Sequence, residues 1–271
     1  MNTRNIAIIA HVDHGKTTLV DCLLRQSGQF HHNEKVIDRV MDSNALEKER
    51  GITILSKCTS IDWKNIRINI VDTPGHADFG GEVERILNMV DGVMLLVDAA
   101  EGPMPQTKFV LTKALNQNLN PIVLINKVDR SDQRATEVLN DIFDLFIALD
   151  ANDKQLDFPV LYSSAKNGWA SNDPDTTGQD MEVLLEKIVG HIPPPDADPN
   201  GPLKMLVTSL ERDPYLGRVL TGRINSGSIQ TNQKVKSIDR TGKLVEKTRI
   251  TKLLNFRGLE RTAIKEAFAG D

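Results

Sequence analysis

The sequence has little of what marks a secreted, membrane-bound or disulfide-stabilised protein. Only 4% of its 271 residues are aromatic, and its two cysteines, Cys22 and Cys58, lie far apart in the chain. We expect both to be reduced thiols, as in a cytoplasmic protein. No apolar run approaches the roughly 18 residues that a membrane span requires, so we predict no membrane partner. The first residues lead directly into a strand-like run without a secretory signal, which also favours a cytoplasmic location.

The net charge of −4 argues against bulk nucleic-acid binding by the chain as a whole, but it hides an asymmetry. Residues 1–202 carry 19 Lys and Arg against 30 Asp and Glu, whereas residues 203–271 carry 14 against 7. The C-terminal region, with its net charge of +7, is therefore the part that could face a phosphate backbone. A solvated basic face explains the same charges equally well.

Apolar runs alternate with helical patterns over the first part of the chain. Strand-like runs occur at residues 5–10, 56–63, 66–72, 92–98, 120–126 and 158–162. Helical patterns lie between them, near residues 16–26, 80–90, 105–117, 133–148 and 180–190. Strands that alternate with helices of this length predict an α/β domain, in which a mostly parallel sheet is covered by helices on both faces.

Residues 192–202, IPPPDADPNGP, can continue neither a helix nor a sheet. We therefore predict a first domain over 1–196, a Pro-rich linker over 197–202 and a second domain over 203–271. Short alternating runs separated by turn signals follow at 204–210, 217–225, 233–238 and 243–254. They predict a small all-β barrel, and because no closing element is evident we expect this barrel to be truncated.

A phosphate-binding loop is predicted where the first strand meets the first helix. Residues 10–17, AHVDHGKT, have the strand–loop–helix context of a P-loop, with Ala10 where the strict pattern has glycine. Gly15 permits close approach to phosphates, Lys16 supplies a cation to the β- and γ-oxygens, and the Thr17 hydroxyl suits Mg²⁺. The nucleotide-binding residues predicted in this segment are Asp13, His14, Gly15, Lys16, Thr17 and Thr18.

A second motif, Asp72-Thr73-Pro74-Gly75-His76, follows the apolar run at 66–72. Open α/β sheets bind ligands at the carboxyl ends of their strands. Asp72 would hold Mg²⁺ through a water molecule, because Mg²⁺ keeps part of its hydration shell. Gly75 would leave its N–H group free to meet a γ-phosphate.

A third motif, with Asn126, Lys127 and Asp129, ends another apolar run. A carboxylate accepts hydrogen bonds, and guanine offers paired donors at N1 and N2 where adenine does not, so Asp129 would select guanine. The stem of Lys127 can lie on the base. The loop that follows the next strand could offer backbone N–H groups to the guanine O6, from Ser164, Ala165 and Lys166.

With these motifs in place, the chain resembles a translational GTPase, and in detail the BipA/TypA family. The resemblance covers the whole length, as a GTPase domain followed by most of a second domain. Its carrying segments are NIAIIAHVDHGKTT at 5–18, MDSNALEKERGITI at 41–54, DTPGHADFGGEVERILNMV at 72–90, Asp98, and GPMPQT at 102–107. Related elongation factors share the early motifs but generally lack the run FGGEVER at 79–85 joined to GPMPQT.

The resemblance assigns further roles. Thr53 would coordinate Mg²⁺ and sense the γ-phosphate, so residues 30–55 would form a switch loop. His76 would orient the attacking water, and Lys16 would neutralise phosphate charge, so both are expected to be catalytic. Val12 and Ile52 resemble a hydrophobic gate that flanks the catalytic histidine, although plain packing explains them nearly as well.

The resemblance also implies the ligands and partners. We expect GTP and GDP bound with Mg²⁺, and a monovalent cation near Asp13 that helps to neutralise phosphate charge. The expected partner is the ribosome, with ribosomal RNA contacted by the basic region 203–271, and we expect a monomer.

Two alternatives remain open. One is a P-loop ATPase, against which the pairing of Asn126 and Lys127 with Asp129 argues. The other is a nucleotide-gated ribosome or RNA docking module with negligible hydrolysis.

Overall fold

A computed structural model describes residues 2–28, 57–73 and 80–271 of the chain. It divides the chain into two compact units, Met1–Pro194 and Pro195–Asp271. The division falls within the proline run, where the backbone lacks N–H donors for helix or sheet bonding. Within the described ranges, no helix is both long and apolar enough to span a membrane.

The first unit is built on one seven-stranded sheet with the order β2-β3-β1-β4-β5-β6-β7. Its strands are β1 Asn2–Ala10, β2 Cys58–Trp63, β3 Ile66–Asp72, β4 Gly92–Asp98, β5 Asn120–Asn126, β6 Val160–Ser164 and β7 Trp169–Ser171. The inner strands β3, β1, β4, β5 and β6 run parallel, whereas β2 and β7 pair antiparallel at the two edges. The predicted mostly parallel sheet is thus confirmed, with an antiparallel strand at each edge.

The described helices of the first unit connect these strands. They are α1 Lys16–Gln26, α2 Gly80–Leu87, α3 Pro105–Asn116, α4 Ala135–Ala148, α5 Asp153–Leu156 and α6 Glu182–His191. Local sequence signals explain where some of them begin. Pro105 opens α3, where a missing N–H costs nothing, and Asn152 with Gln155 forms a capping box that starts the short α5.

The core of the first unit lies on both faces of the sheet. Every residue of β4 is buried, as expected for a central parallel strand. Alternate residues such as Ala7, Leu95 and Val123 belong to a cluster that includes apolar side chains of α2, α3 and α4. Their neighbours Ile8 and Leu96 are equally buried, and strand side chains alternate between faces, so both faces are covered.

The second unit is all β. Its strands are β8 Lys204–Asp213, β9 Gly217–Ser226, β10 Ser228–Gln230, β11 Lys234–Ile238, β12 Leu244–Arg249, β13 Leu253–Arg257, β14 Glu260–Ile264 and β15 Glu266–Phe268. They pair antiparallel as β8–β9, β10–β15, β11–β12 and β13–β14. The run predicted at 243–254 is two strands. They are separated at Ile250, whose carbonyl accepts from the Asn232 N–H and whose N–H donates to the Gln233 carbonyl.

Candidate functional site

The polar ends of several strands lie together at one edge of the first unit's sheet. Ile8 of β1 pairs with Asp72, the last residue of β3. Asp98 ends β4 and pairs with Asn126, which ends β5 and pairs in turn with Ser163 of β6. Because these strands are parallel, their carboxyl ends share one edge, and the loop that leaves β1 begins there too.

The loop between β1 and α1 depends on left-handed backbone angles. Gly15 has a φ of 95° and Asp13 a φ of 65°. A β-carbon at position 15 would lie only 2.5 Å from Nδ2 of Asn126, so glycine is required both for the angle and for the space. In the same segment, Val12 and Thr17 are half-buried, whereas Asp13 and Thr18 are exposed.

Lys16 and Asp72 form an ion pair beside this loop. The Lys16 Nζ lies 2.5 Å from a carboxylate oxygen of Asp72 and donates to the Thr73 carbonyl at 2.6 Å. The Thr73 hydroxyl donates to the Ile8 carbonyl at 2.7 Å, which ties the end of β3 to β1. The predicted phosphate-binding cation and the predicted metal-binding carboxylate are therefore neighbours.

The oxygen donors at this edge fit a magnesium ion that is bound together with phosphates. The Asp72 carboxylate and the Thr17 hydroxyl are hard oxygen ligands of the kind that Mg²⁺ prefers. Among the described residues, no group of three or more His, Cys, Asp and Glu side chains could hold a metal by itself. Mg²⁺ is commonly held by one or two carboxylates with substrate phosphates and water, so this donor set suits that ion.

His14 is fully buried between the loop and the end of β4. Its Nδ1 lies 3.3 Å from the Asp98 N–H nitrogen and 3.4 Å from the Leu96 carbonyl, and its Nε2 lies 3.3 Å from a carboxylate oxygen of Glu101. Burial lowers the pKa of His14, against the opposing pull of the Leu96 carbonyl and of Glu101. Burial therefore favours the neutral form of the ring.

Asn126 joins three segments through its buried amide. Its Nδ2 donates to the His14 carbonyl at 2.9 Å. Its Oδ1 accepts from the Ser163 hydroxyl and from the Ala165 N–H, each at 3.0 Å. The phosphate loop, the end of β6 and the loop that follows β6 are thus fixed to one side chain.

Lys127 follows with a left-handed φ of 64°, and its side chain turns to the buried Asp98. The Lys127 Nζ lies 2.7 Å from Asp98 Oδ2, while Asp98 Oδ1 accepts from the N–H groups of Ala100 at 2.7 Å and Glu101 at 3.3 Å. Burial raises the pKa of Asp98, but the bonds from Lys127 and from the backbone outweigh it, and the pKa lies below its ordinary value.

The remaining residues assigned to the base differ in exposure. Asp129 and Lys166 are exposed, whereas Ser164 and Ala165 are buried. The Ala165 N–H already donates to Asn126, so it would reach a base oxygen only by sharing that proton. The exposed carboxylate of Asp129 is accessible to an incoming base.

Several predicted site residues lie outside the described ranges. They are Ile52, Thr53, Gly75 and His76, together with the switch loop predicted at 30–55. Val12, the described half of the predicted hydrophobic gate, is half-buried.

The structure adds site residues that the motifs did not assign. Ser163 and Thr73 fix the ends of their strands through hydroxyl bonds, and Arg134 donates to the Ala100 carbonyl at 2.9 Å. Asp98 pairs with Lys127 although the sequence reasoning gave it no role. A signal existed, because a carboxylate that ends an entirely apolar strand must find a partner where it is buried.

Comparison with known proteins agrees with this geometry. The family described as the elongation factor Tu GTP binding domain matches residues 1–194, and the family of elongation factor Tu domain 2 matches residues 217–271. A crystal structure of a bacterial selenocysteine-specific elongation factor has a TM-score of 0.72 at 27% sequence identity, covering 100% of this chain and 41% of that one.

Two curated relatives carry the name large ribosomal subunit assembly factor BipA. The chain is 57% identical over 268 residues to the one from Bacillus subtilis and 56% identical over 270 residues to the one from Salmonella typhimurium. These alignments cover 99% and 100% of the chain but 44% of each relative, so the chain spans less than half of their length. The chain therefore belongs to the family of the elongation factor Tu GTP-binding domain, and over nearly its whole length it is similar to BipA proteins.

Proposed function

We propose that the chain binds GTP together with Mg²⁺, hydrolyses it, and acts as a switch on the ribosome. The observation that carries the proposal is the convergence at one sheet edge of the Gly15 loop, Asp72 and Asn126. A phosphate loop, a metal-binding carboxylate and a base-binding segment are the parts that a guanine nucleotide site needs. Membership of a GTP-binding family supports the choice of nucleotide.

At the phosphate end, backbone N–H groups of residues 13–18 bind the β-phosphate and Lys16 neutralises the β- and γ-oxygens. Thr17, Thr53 and Asp72 hold Mg²⁺, and Gly75 donates to the γ-phosphate. When bound, the metal supplies charge neutralisation on the phosphate oxygens. The contact between Lys16 and Asp72 supports this assignment, because it brings two of these groups together. Asp13, which is exposed, would help to hold a monovalent cation.

At the base end, Asp129 accepts hydrogen bonds from the guanine N1 and N2 groups. The stem of Lys127 lies on the base, and the segment Ser164, Ala165 and Lys166 contacts O6. Asn126 acts mainly by joining the base-binding segments to the phosphate loop, as its bonds to His14 and Ala165 suggest.

For hydrolysis, His76 orients the attacking water, and Val12 with Ile52 flanks the imidazole. Catalysis of this kind depends on positioning and electrostatics, and we expect slow turnover until a partner completes the site. The partner we propose is the ribosome, since the curated relatives are named as ribosomal subunit assembly factors. Such a role places the chain in the cytoplasm.

The basic second unit is the proposed contact for ribosomal RNA. In the β11–β12 hairpin, Lys234 pairs with Arg249 and Lys236 pairs with Lys247. Paired residues and alternate residues of a strand share a face, so these four exposed cations lie on one face. Like charges directly opposite each other destabilise a hairpin, and a polyanion on that face would relieve the repulsion.

The proposal is tested by measuring affinity for GDP, GTP and ADP, and then phosphate release from GTP with and without ribosomes. We expect guanine nucleotides to bind far more tightly than ADP, and ribosomes to accelerate turnover. Turnover that stays at background with ribosomes present would refute GTP hydrolysis as the function and favour the alternative of a nucleotide-gated docking module. Retention of ribosome-stimulated turnover by His76→Ala would refute the role of His76.

The RNA contact is tested separately on the same ribosomes. Reversing the charges of Lys236, Lys243 and Arg249 should weaken ribosome binding and flatten its salt dependence. Ribosome binding that is unchanged by both salt and charge reversal would rule out this surface as the RNA contact.

A further inference from the structure

We propose that Asp98 is a positioning residue for guanine binding, which fixes the side chain of Lys127 and connects it to the phosphate loop. The inference rests on the proposed function, because it concerns the segment that would contact the base. Asp98 belongs to none of the nucleotide-binding motifs, yet its carboxylate pairs with Lys127 of one motif and its backbone N–H meets His14 of another.

The two carboxylate oxygens of Asp98 have separate tasks. Oδ1 accepts from the N–H groups of Ala100 and Glu101, which fixes the orientation of the carboxylate. Oδ2 lies 2.7 Å from the Lys127 Nζ and, at the longer distance of 3.7 Å, faces the Arg130 guanidinium. The Asp98 side chain is fully buried and the Lys127 side chain is 29% exposed, so the lysine extends inward from the surface to a buried carboxylate.

The backbone around Asp98 completes a circuit of hydrogen bonds. The Asp98 N–H lies 3.3 Å from Nδ1 of His14, whose carbonyl accepts from Asn126 at 2.9 Å. The Ala99 N–H donates to the Asn126 carbonyl at 2.8 Å, and Lys127 follows directly in the chain. The end of β4 is thereby bonded both to the phosphate loop and to the end of β5.

This arrangement matters for affinity because a free lysine stem is flexible. A lysine side chain that must be ordered on binding loses rotamer entropy at that moment, whereas one already held by an ion pair loses little. With its Nζ on Asp98 and its left-handed φ of 64°, the Lys127 stem is held in one direction before any base arrives. Asp98 would thus contribute to guanine affinity without touching the nucleotide.

The test is a double-mutant cycle on affinity for GDP. Asp98→Asn keeps an oxygen for the Ala100 and Glu101 N–H groups but removes the charge that holds Lys127. Lys127→Met keeps the apolar stem and removes the ammonium group. We expect each substitution to raise the Kd for GDP about tenfold, and the double variant to be no weaker than either alone, because both remove one interaction.

Asp144→Asn is the matched control, since Asp144 is an exposed carboxylate on α4. It should leave the Kd unchanged. Additive effects of the two substitutions, or an unchanged Kd in a folded Asp98→Asn variant, would overturn the inference. If Asp98→Asn does not fold, Lys127→Met at its partly exposed position still decides, because an unchanged Kd there also overturns it.

The two proposals can fail separately. Absence of GDP binding by the unaltered chain would overturn the proposed function and this inference together. Tight GDP binding with independent, additive substitutions would overturn only the role of Asp98.

Discussion

The Nδ2 atom of Asn126 fills the space that a side chain at Gly15 would need. A β-carbon there would come within 2.5 Å of it, and the φ of 95° is unfavourable for any other residue. Gly15→Ala should therefore displace Asn126 from the His14 carbonyl and weaken GDP binding at least about tenfold, since one lost buried hydrogen bond alone accounts for much of that factor. Isothermal titration with GDP measures the change.

Gly28→Ala provides the matched control for Gly15. Gly28 also has a left-handed φ, of 73°, but nothing lies within 4 Å of its β-carbon position. Both substitutions incur backbone strain of about 1 kcal/mol, but only Gly15 also lies in the phosphate loop and against Asn126. Equal losses of GDP affinity in the two variants would show that contact with Asn126 is irrelevant.

Asn126→Ala should destabilise the first unit as well as weaken binding. It leaves the buried Ser163 hydroxyl and Ala165 N–H without their shared acceptor, at about 1–3 kcal/mol for each unsatisfied group. Urea unfolding measures the free energy of unfolding. Asn116→Ala, on the exposed end of α3, should change it by less than about 0.5 kcal/mol. A stable Asn126→Ala variant would contradict the joining role of this amide.

The sequence was sufficient for the parts of the site that lie on strand ends. Asp72 and Asn126 end apolar runs, and parallel strands bring such ends to one edge, so their position at the same edge of the sheet follows from periodicity. The pairing of Lys127 with Asp98 was not predictable in that way. It depends on the left-handed backbone of Lys127 and on the turn that directs Oδ1 of Asp98, neither of which has a periodic signature.

The fold shows the same limit. The buried strand β4 was located to the residue because every side chain between Gly92 and Asp98 is apolar. The short strand β7 and the break between β12 and β13 escaped prediction, since three residues carry no period and the turn at Ile250 is set by bonds to distant residues.

Lys16→Met should reduce GTP turnover by at least about a hundredfold, because it removes the cation that offsets phosphate charge in the transition state. The substitution keeps much of the side-chain volume, so the effect reports the lost charge. Phosphate release at saturating GTP measures turnover. Lys108→Met, an exposed lysine on α3, should retain full turnover. Comparable turnover in both variants would remove Lys16 from the catalytic assignment.

Asp129→Ala should abolish the discrimination between guanosine and inosine diphosphates. Inosine lacks the 2-amino group, so the unaltered chain should bind it about tenfold to a hundredfold more weakly than GDP, the value of one hydrogen bond to a charged acceptor. In the variant, the two affinities should converge. A preference that survives the substitution would place base recognition elsewhere.

The stability of the first unit should depend on pH through His14. Because burial lowers the pKa of His14 below its ordinary 6.5, the unfolded chain takes up a proton more readily than the folded one. The stabilisation of the folded state by this pKa difference is complete above pH 6.5 and declines as the pH falls toward the pKa of His14 in the folded chain. Free energies of unfolding from pH 8 to about pH 5 should therefore fall toward acid, and fall less steeply in His14→Gln.

His191 accounts for part of the pH dependence of stability that should remain in the His14→Gln variant. Burial also lowers the pKa of His191, so its contribution has the same sign and should persist in His14→Gln. A variant whose pH profile matches that of the unaltered chain would mean that His14 is not buried as described.

The four cations of the β11–β12 hairpin give ionic strength two opposite effects on one surface. Dissolved salt screens the repulsion between Lys236 and Lys247, and so tightens the hairpin. The same ions compete with the hairpin for any phosphate backbone, and so loosen the complex. In dilute buffer the hairpin is thus least stable at the same ionic strength at which it would bind a phosphate backbone most tightly.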